Sequence, residues 1–208
     1  MQAGGVTVTT LNLAKALKSI GYDVTILSLA DNANDFQKDS LLRDKITYKH
    51  FSYKEFKPLY YPFIFMSLMS FYLKNSFDVI GVAGAYPAII SLAACKLVRT
   101  KAKTVVNFHT TLSEYLATEP YYKALILKWA TPILKTASVL ANDSKAAAED
   151  TKVIIGTKQV KTFYNPVCTK NDLNYTPAAV PHWWLSDKKY TTLVGCGRFC
   201  EGKNFKLM

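Results

Sequence analysis

The stretch FDVIGVAGAYPAIISLAACKLVRTKAKTVVNFH (residues 77–109) decides how the chain folds. FDVIGVA is a near-continuous apolar run of strand length, which suits burial on both faces. YPAIISLAACKLV (86–98) has the length and spacing of a helix, and KTVVNFH (103–109) is again a strand. A strand, a crossover helix and a second strand make a right-handed unit with the two strands parallel.

The same alternation extends in both directions. Val8, Leu11, Leu13, Ala14, Leu17 and Ile20 recur at helical spacing up to Gly21, and DVTILSL (23–29) follows as a strand. The polar run DNANDFQKDS (31–40) bridges to a strand at 46–51 and an apolar helix at 59–73. Beyond His109 come an irregular stretch, a helix at 121–135, a strand at 137–141, a helix from Ser144 and a strand at 160–164. Such a series predicts an α/β, doubly wound parallel sheet covered on both sides. Residues 1–165 are expected to form this domain. Residues 166–189, with prolines and no periodicity, read as an interdomain linker that Trp183 and Trp184 dock onto a domain surface. Residues 190–208 carry a short strand, a basic loop and the first turn of a helix, and read as the start of a second domain.

Half of the 208 residues are hydrophobic, enough for a sizeable core, and the net charge of +11 asks for an anionic partner. The lysines are scattered, and no RNP-like, helix-turn-helix or zinc-finger pattern occurs, which argues against nucleic acid. Cys95, Cys168, Cys196 and Cys200 lack the spacing of a zinc site and read as free thiols in a reducing cytosol. MQAGGVTVTT is not a secretory signal. The charge-free run 59–73 is shorter than the ~20 residues of a spanning helix. It reads as a helix with one face in the core; with Lys54, Lys57 and Lys74 beside it, its other face could meet an anionic membrane surface. The expected location is cytoplasmic, on the inner face of the cytoplasmic membrane if that contact is made.

Three places could carry chemistry. Gly4 and Gly5 precede a helix, whose free N–H groups suit a phosphate, although a plain turn would look the same. His109 ends a parallel strand, where ligands of open α/β sheets bind, and Thr110, Thr111 and Glu114 beside it could hydrogen-bond a polyol; an ordinary polar loop has the same composition. Arg198 and Lys203 stand in a glycine-bearing loop and could neutralise a departing diphosphate, or simply be solvated. No DxD pair is present to hold a metal-bound diphosphate.

In order, these pieces (GGV with its amphipathic helix, GYDVTIL, DVI, VVNFH, SKAAAED, FYNPV and VGCGRF-x3-KNF) resemble glycosyltransferase family 4 of the GT-B fold. The resemblance implies two Rossmann-like domains, the first binding acceptor and the second a nucleotide sugar. It implies transfer of a hexose-type sugar to a hydroxyl of a glycan or lipid-linked acceptor, with retention and without a metal or other cofactor, in cell-surface polysaccharide or lipopolysaccharide assembly. By the same resemblance Gly4, Gly5, Arg198 and Lys203 face the donor diphosphate, His109 is the catalytic residue beside the transferred sugar, and Asn165-Pro166 leads to the linker; Thr110, Thr111 and Glu114, by their chemistry and their place beside His109, are the candidates for binding the acceptor. Family members have a strand before the glycine loop, central in the sheet between 24–29 and 78–82, and a complete donor domain. Against that pattern the chain reads as truncated at both ends and inactive alone. The alternatives are one half of a split transferase completed by a separate donor-domain polypeptide, and a nucleotide-binding Rossmann module, for which a GxGxxG would be expected.

Overall fold

The computed structural model describes residues 5–29, 35–51, 60–118 and 120–166, and in the last part of the chain residues 182, 183, 189, 191–193, 195, 197 and 205–207. The chain divides into two compact units, Met1–Val167 and Cys168–Met208. In the second, Trp183 is exposed and stacks on His182; Trp184 lies outside the described residues.

The first unit runs α1 (Gly5–Ser19), β1 (Thr25–Ser28), α2 (Asp35–Arg43), β2 (Thr47–His50), α3 (Tyr60–Lys74), β3 (Val79–Ala83), α4 (Ala85–Leu97), β4 (Lys103–Asn107), α5 (Leu112–Thr118), α6 (Tyr121–Leu134), β5 (Val139–Asn142), α7 (Lys145–Ile155) and β6 (Val160–Thr162). All pairings are parallel, as the strand-helix alternation requires. The strands form two sheets, β1-β2 and β3-β4-β5-β6. The division falls between β1 and β3, where the sequence reading placed an intervening strand. Both sides nevertheless share one cluster, in which Leu27 and Leu29 pack with Ile64 and Leu68 of α3 and Ala94 of α4.

The main core is built from Val106, Phe108 and Leu140 against Leu92, Leu127, Leu134, Ala148 and Ile155. β4 alternates, with Thr104 and Val106 buried. β3 does not meet the expectation of burial on both faces: it is an edge strand, and Val79 is 57% exposed. Two helices were not legible. α2 occupies part of the polar run 31–40, anchored by fully buried Leu41 and by Lys15, whose Nζ meets Ser40 Oγ at 2.7 Å and Asp44 Oδ2 at 3.1 Å. α5 lies in the irregular stretch after His109. Its Leu112 is buried, and Asp150 of α7 accepts the backbone N–H of Ser113 at 3.0 Å, capping its first turn.

Local chemistry sets several element ends. α7 starts at Ser144, whose Oγ accepts the N–H of Ala147 at 3.2 Å, and stops at Gly156, in the left-handed conformation at φ 70°. Gly84, at φ 94°, makes the turn from β3 into α4, and its N–H donates to Asn107 O at 2.8 Å, tying that turn to the end of β4. In α6, Pro132 removes the donor that Lys128 O would receive, and the Thr131 hydroxyl replaces it at 3.0 Å.

Candidate active site

Parallel register brings the carboxyl ends of β4, β5 and β6 level, with Asn107 opposite Ala141 and Asn142 opposite Thr162. Polar side chains stand at or within a few residues of these strand ends, so Asn107, His109, Asp143 and Asn165 meet at one end of the sheet. Asp143 is the hub. His109 Nδ1 lies 3.1 Å from its Oδ1 and 3.3 Å from its Oδ2. Asn107 Nδ2 donates to Oδ1 at 3.3 Å and Asn165 Nδ2 to Oδ2 at 2.8 Å. Hydrogen bonds to an ionised acceptor are worth about 1.5–3 kcal/mol each. They hold three strand ends to one carboxylate.

His109 has φ 55°, a left-handed conformation in which histidine is enriched among non-glycine residues. Its side chain is only 7% exposed and that of Asp143 25%. A carboxylate only accepts, so the proton on the neutral ring belongs to Nδ1, and Nε2 is left as an acceptor for a ligand O–H. The Oδ1 atoms of Asn107 and Asn165 are buried without a hydrogen-bond partner, leaving two further acceptors beside the hub.

A second polar knot supports the first. Asn142 is fully buried, and its Nδ2 donates to Thr110 O at 2.8 Å, Thr151 Oγ1 at 3.0 Å and Ala147 O at 3.3 Å. Its Oδ1 accepts the N–H of Asp143 at 2.8 Å. Two amide hydrogens shared among three acceptors fasten the loop after His109 to the first turns of α7.

The expected site residues are therefore placed unevenly. His109 sits in the hub. Thr110 is used through its backbone carbonyl, Thr111 accepts the N–H of Tyr115 at 3.0 Å, and Glu114 is exposed on α5. Gly5 is the first residue of α1; a Cβ built there meets nothing within 4 Å, so no neighbour demands glycine at that position. Gly4, Arg198 and Lys203 lie outside the described residues. Asn12 of α1 donates to Pro166 O at 2.9 Å, which brings that helix to the chain just after Asn165. Asp143, Asn107 and Asn142 were missed, although each is a polar residue closing an apolar run. Among the described residues no group of three or more His, Cys, Asp or Glu could hold a metal ion, and Cys95 is a buried free thiol. A hollow of about 380 Å³ lined by Tyr72, Asn75, Phe77 and Thr100 lies at the opposite, amino-terminal ends of β3 and β4.

The family model of Glycosyltransferase Family 4 matches residues 3–171, most of the chain. The chain belongs to glycosyltransferase family 4. Among solved structures, it is similar to Anabaena Alr3699/HepE, whose crystal structure is in complex with UDP and glucose, with a TM-score of 0.55 and 18% identity. That match covers 79% of this chain and 42% of the other, so the chain spans less than half the length of this neighbour. The likeness shows the α/β fold of a GT-B Rossmann-like domain. No curated protein matches.

Proposed function

We propose that the chain is the acceptor-side part of a retaining, metal-independent glycosyltransferase that moves a hexose-type sugar from a nucleotide sugar to a hydroxyl of a glycan or lipid-linked acceptor. The pathway this suits is cell-surface polysaccharide assembly on the inner face of the cytoplasmic membrane. The observation that carries the reading is the His109-Asp143 pair at the carboxyl ends of the sheet of a family 4 chain. In the reaction the bond from the anomeric carbon to the diphosphate breaks, a bond to the acceptor oxygen forms, and the acceptor proton leaves with the nucleoside diphosphate or to solvent. His109 Nε2 accepts a hydrogen bond from a hydroxyl of the transferred sugar and orients it. Thr110, Thr111 and Glu114 lie on the acceptor side. Gly4, Gly5, Arg198 and Lys203 are assigned to the diphosphate.

The reading is tested by assaying transfer from UDP-glucose and other nucleotide sugars, with the 208-residue chain alone and joined to a family 4 donor domain. UDP and glucose come first because HepE was solved with them. Negligible turnover alone, turnover when joined, and loss of at least about a hundredfold in His109→Ala are expected. Equal turnover by His109→Ala, or no transfer from any donor by the joined protein, overturns it.

A further inference from the structure

Helices α3, α4 and α6 lie side by side, with α4 between the other two. None of the three contains an acidic residue, whereas α2, α5 and α7 all do. Lys74, Lys96, Lys128 and Lys135, on these helices or at their ends, are exposed. The outer side of α6 is aromatic and apolar: Tyr121 is 82% exposed, Tyr122 60%, Leu125 40%, Ile126 47% and Trp129 77%. On α3, Tyr61, Phe63, Met66 and Leu73 are also exposed, while Ile64 and Leu68 hold the helix to the core. Single exposed apolar residues need no explanation, but a helix presenting five large ones within nine positions does.

We propose that α6, with the exposed side of α3, docks on the surface of an anionic lipid bilayer. Tyrosine and tryptophan beside lysine is the composition of a segment lying in a membrane interface, where amphipathic rings sit at headgroup level and cations meet lipid phosphates. The absence of acids on all three helices removes the repulsion that an anionic surface would impose. A second copy of the chain fits less well: a two-fold contact sets the same patch against itself and would bring the lysines together. No helix of the described residues is long and apolar enough to cross a membrane, so contact is from one side. The assignment deepens the membrane part of the proposed function and rests on it. Vesicle binding is read without sugar transfer, so either can fail alone.

The test is flotation of the full chain with vesicles of phosphatidylglycerol and phosphatidylcholine, against phosphatidylcholine alone. Binding is expected only with the anionic lipid, and to weaken as salt is raised. Tyr122→Ser/Trp129→Ser is expected to weaken it by about tenfold or more, and Lys128→Glu by about fivefold at low salt. Both variants alter exposed side chains, and unchanged circular dichroism confirms that they fold. In a Trp183→Phe/Trp184→Phe variant, Trp129 fluorescence is expected to be quenched by brominated lipid. Equal binding by the α6 variants, indifference to lipid charge, no quenching of Trp129, or loss of a dimer as the sole effect of Tyr122→Ser/Trp129→Ser each overturns the proposal.

Discussion

His109 Nδ1 and Asp143 Oδ1 are 3.1 Å apart across two neighbouring strand ends, and the carboxylate decides which ring nitrogen carries the proton. The neutral ring is expected to be the Nδ1–H tautomer, whereas free histidine favours Nε2–H. Nitrogen chemical shifts of the His109 ring check this directly. Asp143→Ala is expected to shift the ring toward Nε2–H while circular dichroism is retained. A wild-type ring already in the Nε2–H form would show that the pair does not work as described. In the joined, active protein the same substitution is expected to lower kcat more than it raises KM, because it misorients a group rather than removing a binding surface.

Asn142 is buried with every polar atom used, and Asn142→Ala strands Thr110 O and the Asp143 N–H together, while the Thr151 hydroxyl keeps its bond to Ala147 O. Each buried polar group left unpaired costs about 1–3 kcal/mol, and partial relaxation makes about 3 kcal/mol a reasonable total. Denaturant unfolding measures it. The change should also broaden the His109 ring signals, because the loop after His109 loses its tie to α7.

The fold was legible where apolar runs have the length of one element, as in 77–109, because a buried parallel strand and its crossover helix leave little freedom in composition. α2 was not, since among its described residues Leu41 alone is fully buried, and Ser40 is held by Lys15 of a different helix. α5 escaped because a seven-residue helix is held by Asp150, which lies 37 residues from Ser113. At the site, His109 stood out by its chemistry and its place at a strand end. Asp143 did not, because its role arises only once parallel register sets β4, β5 and β6 level. The exposure of Val79 likewise depends on strand order, which the local composition of β3 does not encode.

The ends of α7 offer a cleaner test of local energetics. Ser144→Ala removes the acceptor for Ala147 N–H and is expected to cost about 1 kcal/mol. Gly156→Ala forces a side chain into φ 70° and brings its Cβ to 3.4 Å from Lys135 Nζ, the movable end of a flexible chain. Its cost of about 1–2 kcal/mol is therefore backbone strain rather than collision. Lys135→Ala in the same background should leave that cost unchanged; relief by more than half would show that the contact mattered.

Tyr72 links α3 to α4 through its hydroxyl, 2.7 Å from Ser91 Oγ, and burial pushes its pKa up to about 12 from an ordinary 10.0. Burial is the dominant cause; the Ser91 hydrogen bond acts in the opposite sense, and the nearby Cys95 adds a smaller upward push. The folded protein thus resists ionising this phenol more than the unfolded chain does. A group whose pKa is raised on folding contributes stability that is fully present below the unfolded value and disappears as pH rises through the folded one. The window is therefore pH 10 to 12, and the loss is at most about 2–3 kcal/mol. Other tyrosines ionise in the same range, so the quantity to measure is the difference between wild type and Tyr72→Phe. The variant starts less stable at pH 8, by about 1 kcal/mol for the lost hydrogen bond. Above pH 10 it is expected to lose stability less steeply, so that the two curves converge and cross before pH 12. Parallel curves would mean that Tyr72 ionises as readily in the folded protein as outside it, and that the α3-α4 contact admits water at that hydroxyl.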